Sequence, residues 1–457
     1  MRYYILKITT RGIKNIEKDI SLHFYPQTIS KTLNIRKKNV KAIFGMNGSG
    51  KSAIIKSVEL YRYLTTVKNY LTSTQKKYFD DLINKKTKSF YFNVIYAVYD
   101  EKNRNKIINI YSHSILVKYE DGFYKIIEER FSKLSKDSKT INGKYDLIFE
   151  SKNGNLLTIE GYLGNYITNK TVNLLHDSSF FAIMKYYIKE FNGMLLEYQI
   201  TPVETLYMKD LLYGGMMSLS LNIYLDIDDI YDAQSTYAYQ FFEVFENLRD
   251  EKSNIDENIK INVNINVVKK ENEKLYEDEI KNLERFIKIF KPNLKEITFI
   301  KKVNWDYFIY SLIFNYDGYS VDLELESTGI KKLVRLYPYL QYASKGEITF
   351  IDEMDANIHD VYLSKLIEFF EKYALGQLCF TSHNLGTMKE LNYNDYSIDF
   401  INENIEIVSW KKNGNYSPYN RYRSGLIKGS PFNVNDFDYL SVFDVGEKDA
   451  DNNRGRA

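Results

Sequence analysis

The eight residues Gly45-Met46-Asn47-Gly48-Ser49-Gly50-Lys51-Ser52 constrain this chain more than anything else in it. They follow a short apolar run, Asn39 to Phe44, that reads as a strand, and they open a stretch from Ser52 to Val67 with helical periodicity. A strand, a glycine-rich loop and a helix in that order make a cradle for phosphate. Glycines let the backbone curl until several N–H groups face one point, and the helix start adds the positive end of its dipole. In such a loop Lys51 reaches the β- and γ-phosphates of a nucleotide, and the Ser52 hydroxyl ligates Mg²⁺. Gly45, Asn47, Gly48, Ser49 and Gly50 form the rest of the cradle. ATP and Mg²⁺ are the expected cofactors, and an α/β core is the expected scaffold.

Three later motifs gain meaning from that loop. Glu347-Ile348-Thr349-Phe350-Ile351-Asp352-Glu353 is an apolar strand ending in two carboxylates. It puts Asp352 at a sheet edge as a Mg²⁺ ligand and Glu353 next to it as the general base that polarises water. Glu326-Ser327-Thr328-Gly329 precedes the helical LVRLYPYL. Alone it reads as a helix N-cap, while beside a nucleotide the hydroxyl of Ser327 and the backbone at Gly329 offer donors to phosphate. Cys379-Phe380-Thr381-Ser382-His383-Asn384 is a buried strand that releases a histidine. His383 reads either as structural or as a group that bonds the γ-phosphate and registers its loss. His359 fits a helix surface or an interface equally well.

The remaining chain is less directive. It has 62 basic and 60 acidic residues over 457, a balance that neither demands nor excludes a nucleic-acid partner. Arg36-Lys37-Lys38 and Lys85-Lys86-Thr87-Lys88 read as phosphate contacts or as solvated lysines, and Asp226, Asp228 and Asp229 as a metal site or a solvated turn. The 41 tyrosines fill cores and half-buried surfaces alike. Cys379 is the single cysteine, which fits a reducing cytoplasm, and no stretch approaches a membrane span or a signal peptide. Strand-like alternation runs from Tyr3 to Thr9, from Ile20 to Phe24, and through residues 90–160 as an antiparallel sheet. Residues 162–255 read as short helices, SSFFAIMKYYIKEF and AYQFFEVFENLRDEK among them. A helix from Glu277 to Phe290 leads to strands at Glu296 to Ile300, Trp305 to Asn315 and Ser320 to Leu325. The expected divisions are 1–160, 161–270 as a mainly helical insertion, 271–445, and a polar, disordered tail over 446–457.

Phosphate loop, STG, DEMD and SHN in that order resemble the ABC-type ATPases of the SMC, RecF and OLD group. The opening LKITTRGIKNI, ESTGIKKL, IDEMDANIHD, TSHN and RYRSGLIKGSPF are most similar to the AAA-family ATPases of bacterial anti-phage operons, such as PARIS, AbiL-like and Septu-like systems. The resemblance implies a P-loop NTPase with an ABC-type ATPase head, its mixed sheet joined by an antiparallel β subdomain. It implies a homodimer, open to higher assembly, in which Ser327 and Gly329 face the γ-phosphate bound by the opposite subunit and Asp355 lies at the interface. It also implies ATP hydrolysis by an antiviral regulatory subunit that answers a phage-encoded trigger and controls a separate effector nuclease of Toprim or HNH type. A RecF-like DNA-repair ATPase is the alternative, and a transport cassette a distant third. The chain departs from the pattern in having Thr328 between Ser and Gly, no Gln ahead of the signature, Asp360 where many relatives carry Pro, and no assignable Gln-loop residue. The stretch after His383 is too short for a Toprim nuclease, so none is expected on this chain.

Overall fold

The computed structural model describes residues 1–225 and 261–430, apart from 36–37, 75, 198–200, 305–306, 392–393, 413–415 and 429. The expected 238–252 helix, the Trp305 strand start, Arg36, Lys37, the Asp226–Asp229 cluster and the 446–457 tail lie outside the described residues.

Two sheets carry the architecture. The first is wholly antiparallel and runs β2 (Ile20–His23), β1 (Arg2–Arg11), β4 (Ser89–Asp100), β5 (Lys106–Glu120), β6 (Phe123–Leu134), β7 (Tyr145–Lys152) and β8 (Asn155–Leu157). Its period-2 alternation buries one face and leaves the other to solvent. The second sheet runs β17 (Ile407–Ser409), β16 (Ile398–Ile401), β3 (Val40–Gly45), β15 (Gln377–Thr381), β14 (Ile348–Ile351) and β9 (Leu221–Tyr224). The five strands from β16 to β9 are parallel and only β17 is antiparallel. Strands β3, β14, β15, β16 and β9 are buried on both faces, as sequences with continuous apolar runs require.

Helix α1 (Lys51–Thr66) lies between the two sheets, which explains why thirteen of its sixteen residues are buried. Gln377 links the layers: its side chain takes the Ile5 N–H at 2.9 Å and returns a bond to the Ile5 carbonyl at 3.0 Å, where β1 has an irregular register. Helices α2 (Lys76–Leu82), α3 (Tyr162–Thr171), α4 (Phe180–Tyr186), α5 (Ile188–Glu197) and α6 (Pro202–Leu219) follow in the first half, and α4 and α6 pack against α1. The opposite face of the second sheet is covered by α7 (Glu273–Phe290), α8 (Thr328–Lys345) and α9 (Asp360–Tyr373), with a small sheet of β10 (Asn266–Lys269), β12 (Tyr307–Tyr316), β11 (Glu296–Asn304) and β13 (Tyr319–Asp322). Short helices α10 (Met388–Leu391) and α11 (Pro418–Arg423) close the described chain.

One expectation is amended by the fold. Residues 162–255 read as helices alone, and 161–270 as an insertion. In the structure α4 and α6 form part of the layer around α1, and β9 is the edge strand of the central sheet. Tyrosine fills the interior as expected: Tyr4, Tyr61, Tyr70, Tyr96, Tyr99, Tyr111, Tyr276 and Tyr310 are among the largest fully buried side chains. Two of them donate their hydroxyl to a carboxylate, Tyr111 to Asp210 at 2.6 Å and Tyr310 to Glu277 at 3.3 Å.

Candidate functional site

Strands β3, β15 and β14 are parallel neighbours, so their C-terminal ends share one edge. Ile351 pairs with Phe380 and Thr381 with Ile43, which sets three loop starts side by side: 45–52, 352–358 and 382–384. Open parallel sheets bind ligands at such an edge. Here β15 stands between the strand of the phosphate loop and that of the two carboxylates.

The loop itself is built for an anion. Gly48 has φ +76° and Gly50 φ +106°, conformations that a side chain would strain. Gly45 is held by packing instead, since a Cβ there would lie 2.6 Å from Ile401 and from Ser49 Oγ. Gly50 is the N-cap of α1, yet no side chain caps that end and its first turn carries no acid. The first N–H donors of the helix thus lack intrahelical partners and point out of its start. Ser49 Oγ is buried without a hydrogen-bond partner, a second donor awaiting an acceptor. Asn47 is exposed on the loop's crown, and Ser52 is half-buried one residue past Lys51.

Lys51 is buried and donates to the carbonyls of Gly45 at 2.8 Å and Met46 at 2.9 Å. Burial pushes its pKa down from the ordinary lysine value, while Asp352, Glu353 and Asp355 pull it back up. The carboxylates of residues 352–355 and the loop lysine therefore share one electrostatic neighbourhood. Asp352 is 8% exposed, and its Oδ1 accepts the Thr381 hydroxyl at 2.6 Å. Glu353 adopts φ +49°, and its N–H donates to Thr381 Oγ1 at 2.8 Å.

Asp355 Oδ2 accepts the N–H groups of His383 at 3.0 Å and Asn384 at 2.9 Å. That fixes the turn on which His383 stands exposed. Asp360 accepts from Asn384 Nδ2 at 2.6 Å, which ties the start of α9 to the same turn. His359 is the exposed N-cap of α9, with Nδ1 accepting from the Val361 N–H at 3.4 Å. Ser327 is the exposed N-cap of α8, and its Oγ accepts from the Ile330 N–H at 3.4 Å. Gly329 approaches the loop after Glu353 so closely that a Cβ would lie 2.9 Å from the Asn357 carbonyl oxygen.

Sequence reasoning passed over several neighbours of this site. Lys14 and Asn15 follow the Gly12 turn, where φ is +79° and a Cβ would overlap the Ser89 carbonyl. Asn15 Nδ2 donates to the Gly48 carbonyl at 2.8 Å, fastening the phosphate loop from outside. Burial lowers the Lys14 pKa, the Lys56 ammonium lowers it further, and Asp352 acts in the opposite sense. The Gly-Ile-Lys-Asn run directly after β1 was the available signal. Thr381 and Lys332 lie within motifs of the sequence but carried no role there, and they reach the site through contacts far along the chain. The basic run at 85–88 is partly neutralised, by Lys85 with Asp80 and Lys86 with Glu17.

These features fit a nucleotide triphosphate: an uncapped helix start, an orphaned serine hydroxyl and a buried loop lysine. Mg²⁺ fits only together with it. Among the described residues no cluster of three or more His, Cys, Asp or Glu could hold a metal, so Ser52 and Asp352 would need phosphate oxygens and water to fill an octahedron. Among the described residues, no helix is long and apolar enough to cross a membrane.

Comparison with known proteins adds to the geometry. Residues 212–389 match a family model described as an AAA domain, putative AbiEii toxin, Type IV TA system. No curated protein matches the chain. Among solved structures, the SMC head bound to the C-winged helix domain of ScpA is 15% identical, with a TM-score of 0.39, covering 89% of this chain and 98% of that one. Two structures of the recombination mediator protein RecF of the RecFOR pathway are 11% and 14% identical, with TM-scores of 0.34 and 0.32, each covering 90% of this chain and 99% of the other. The chain has a mixed α/β fold with a phosphate-binding loop at the edge of its central sheet, and residues 212–389 are similar to an AAA domain.

Proposed function

We propose that this chain hydrolyses ATP as the regulatory subunit of an anti-phage defence system. The observation that carries the catalytic part is the shared edge where Lys51 sits within electrostatic reach of Asp352, Glu353 and Asp355. In this reading the loop N–H groups and Lys51 bind and orient the triphosphate. Ser52 and Asp352 would hold Mg²⁺, which would supply charge neutralisation to the triphosphate. Glu353 accepts the proton of the attacking water. His383, presented by the Asp355-anchored turn, bonds the γ-phosphate and registers its departure.

The exposed Ser327 turns its hydroxyl to its own helix and faces outward, which supports contact with a nucleotide held by a second copy. Two heads would then enclose two nucleotides, and hydrolysis would part them. The defence role is supported by the family model at residues 212–389, whose description names a toxin of a toxin–antitoxin system. A separately encoded nuclease is the proposed effector and a phage-encoded protein the proposed trigger.

Replacing Glu353 with Gln tests the catalytic part. Turnover should fall by about 10²–10⁴-fold, the usual worth of a general base. ATP binding should persist, and an ATP-dependent dimer should accumulate in light scattering. Unchanged turnover would place the base elsewhere. Purifying the chain with the products of its neighbouring genes tests the biological part. A co-purifying nuclease supports defence, whereas nucleotide-dependent duplex binding without one would favour a RecF-like repair role.

A further inference from the structure

Glu353 has a backbone conformation that residues other than glycine adopt at an energetic cost. Four bonds surround it. Its N–H donates to Thr381 Oγ1 at 2.8 Å, its carbonyl accepts both Lys332 Nζ at 2.7 Å and the Ala356 N–H at 3.1 Å, and the next residue's N–H, on Met354, reaches the Thr381 carbonyl at 3.1 Å. The Thr381 hydroxyl uses its single proton on Asp352 Oδ1 at 2.6 Å, so one side chain holds both acidic residues in register. Lys332 comes from a different element. It lies on α8 five residues beyond Ser327, is 3% exposed, and has its ammonium 5.9 Å from the Tyr224 ring centroid. The carbonyl of that same Tyr224 accepts the Asp352 N–H at 2.9 Å.

A buried lysine is a costly way to fill space, and one aimed at the carbonyl of a strained acidic residue has a more specific use. We infer that Lys332 and Thr381 are positioning residues: they hold Glu353 in its working conformation, and Lys332 makes that conformation depend on where α8 sits. The α8 start carries Ser327, and five residues of helix span only about 7.5 Å along the axis, so the two ends of this short lever move together. Engagement of Ser327 by a second copy would shift α8, and Lys332 would pass that shift to the Glu353 carbonyl. Hydrolysis would thereby wait for the second subunit. This inference rests on the reading of Glu353 as the base and Ser327 as a contact in trans.

The test uses the full chain with Lys332→Met, which keeps the length and apolar stem but removes the donor, and Lys332→Gln as a second neutral form. ATP affinity and KM should stay near wild type while kcat falls at least tenfold, and Lys332→Arg should recover part of it. The ATP-dependent dimer should still form. In a Glu353→Gln background, Lys332→Met should cause no further loss, because it acts only through Glu353. The inference is overturned if either neutral variant that folds keeps wild-type kcat, or if the Lys332→Met loss persists undiminished beside Glu353→Gln. Normal turnover in Glu353→Gln alone would instead remove the underlying assignment of the base.

Discussion

Helices α1 and α8 both begin at the edge where the candidate site lies, and their first turns are finished in opposite ways. Gly50 starts α1 in a left-handed conformation with no side-chain cap and no acid in the first turn. Ser327 starts α8 in an extended conformation, and its own hydroxyl takes the Ile330 N–H. An α-helix leaves its first four N–H groups without partners, so each start had to be resolved somehow. In α1 the donors stay available to a ligand, and a buried Ser49 hydroxyl adds to them. In α8 the helix closes part of its own need, and the exposed cap residue presents its outer side to whatever docks there. The difference bears on stability as well as binding. A capped start is stable alone, whereas an uncapped one recovers its missing bonds from the anion it binds.

Removing the charge at the uncapped start should have the largest effect. Lys51→Ala should weaken ATP binding by about 100-fold, since a hydrogen bond to a charged group contributes roughly 1.5–3 kcal/mol. Calorimetry measures it, and an unchanged dissociation constant would show that α1 does not begin at the phosphate site. Next comes the pairing of the two starts. Ser327→Arg and Lys51→Ala should each be inactive alone, yet mixed they form heterodimers in which one site joins an intact loop to an intact Ser327. ATPase activity should return partly and peak near equal amounts. A flat profile, with heterodimers verified by differential tagging, would count against catalysis in trans or show that both sites must fire.

Smaller effects sharpen the contrast at α8. Gly329→Ala places a Cβ 2.9 Å from the Asn357 carbonyl, and such crowding costs about 1–3 kcal/mol. Chemical denaturation should register it, with turnover reduced and ATP affinity unchanged; full stability would mean the neighbouring loop yields freely. The gentlest probe separates capping from contact. Ser327→Ala should lose about 1 kcal/mol of stability as a cap is removed. Ser327→Asp, an equally good cap, should keep the stability but lose turnover, because a carboxylate repels a γ-phosphate. Retained turnover in Ser327→Asp would reduce Ser327 to a structural cap.

Much of this edge is legible because each part lies in one local run. The loop of residues 45–52 is contiguous, and both Asp352 and His383 follow short apolar strands whose ends are marked by a change to polar residues. The antiparallel sheet announces itself by alternation along β4, β5 and β6. Strand β9 did not, because LNIY is four residues buried on both faces and follows a helix directly, leaving no period to detect. Lys332 was indistinguishable from other helix lysines, since its partner lies 21 positions away and is a backbone carbonyl. Thr381 read as the last residue of a strand, and nothing local says that its hydroxyl joins Asp352 to Glu353. Lys14 and Asn15 belonged to a turn whose destination, the phosphate loop, is set only by tertiary packing.

The position of β3 has a consequence for how the chain comes to fold. Its two neighbours in the sheet are β15 and β16, whose residues are 377–381 and 398–401, so neither flank of β3 can pair until more than three hundred later residues exist. At roughly 5–20 residues per second, a nascent chain waits on the order of half a minute with that strand unpaired. During this interval the antiparallel sheet, drawn from the first 157 residues, can already close. The phosphate loop gains its rigid base only when β15 and β16 arrive, bringing with them Thr381 and the turn of His383. In the proposed function, nucleotide capture would thus be timed to late synthesis, and a chain arrested before residue 377 would have the loop without the sheet that shapes it.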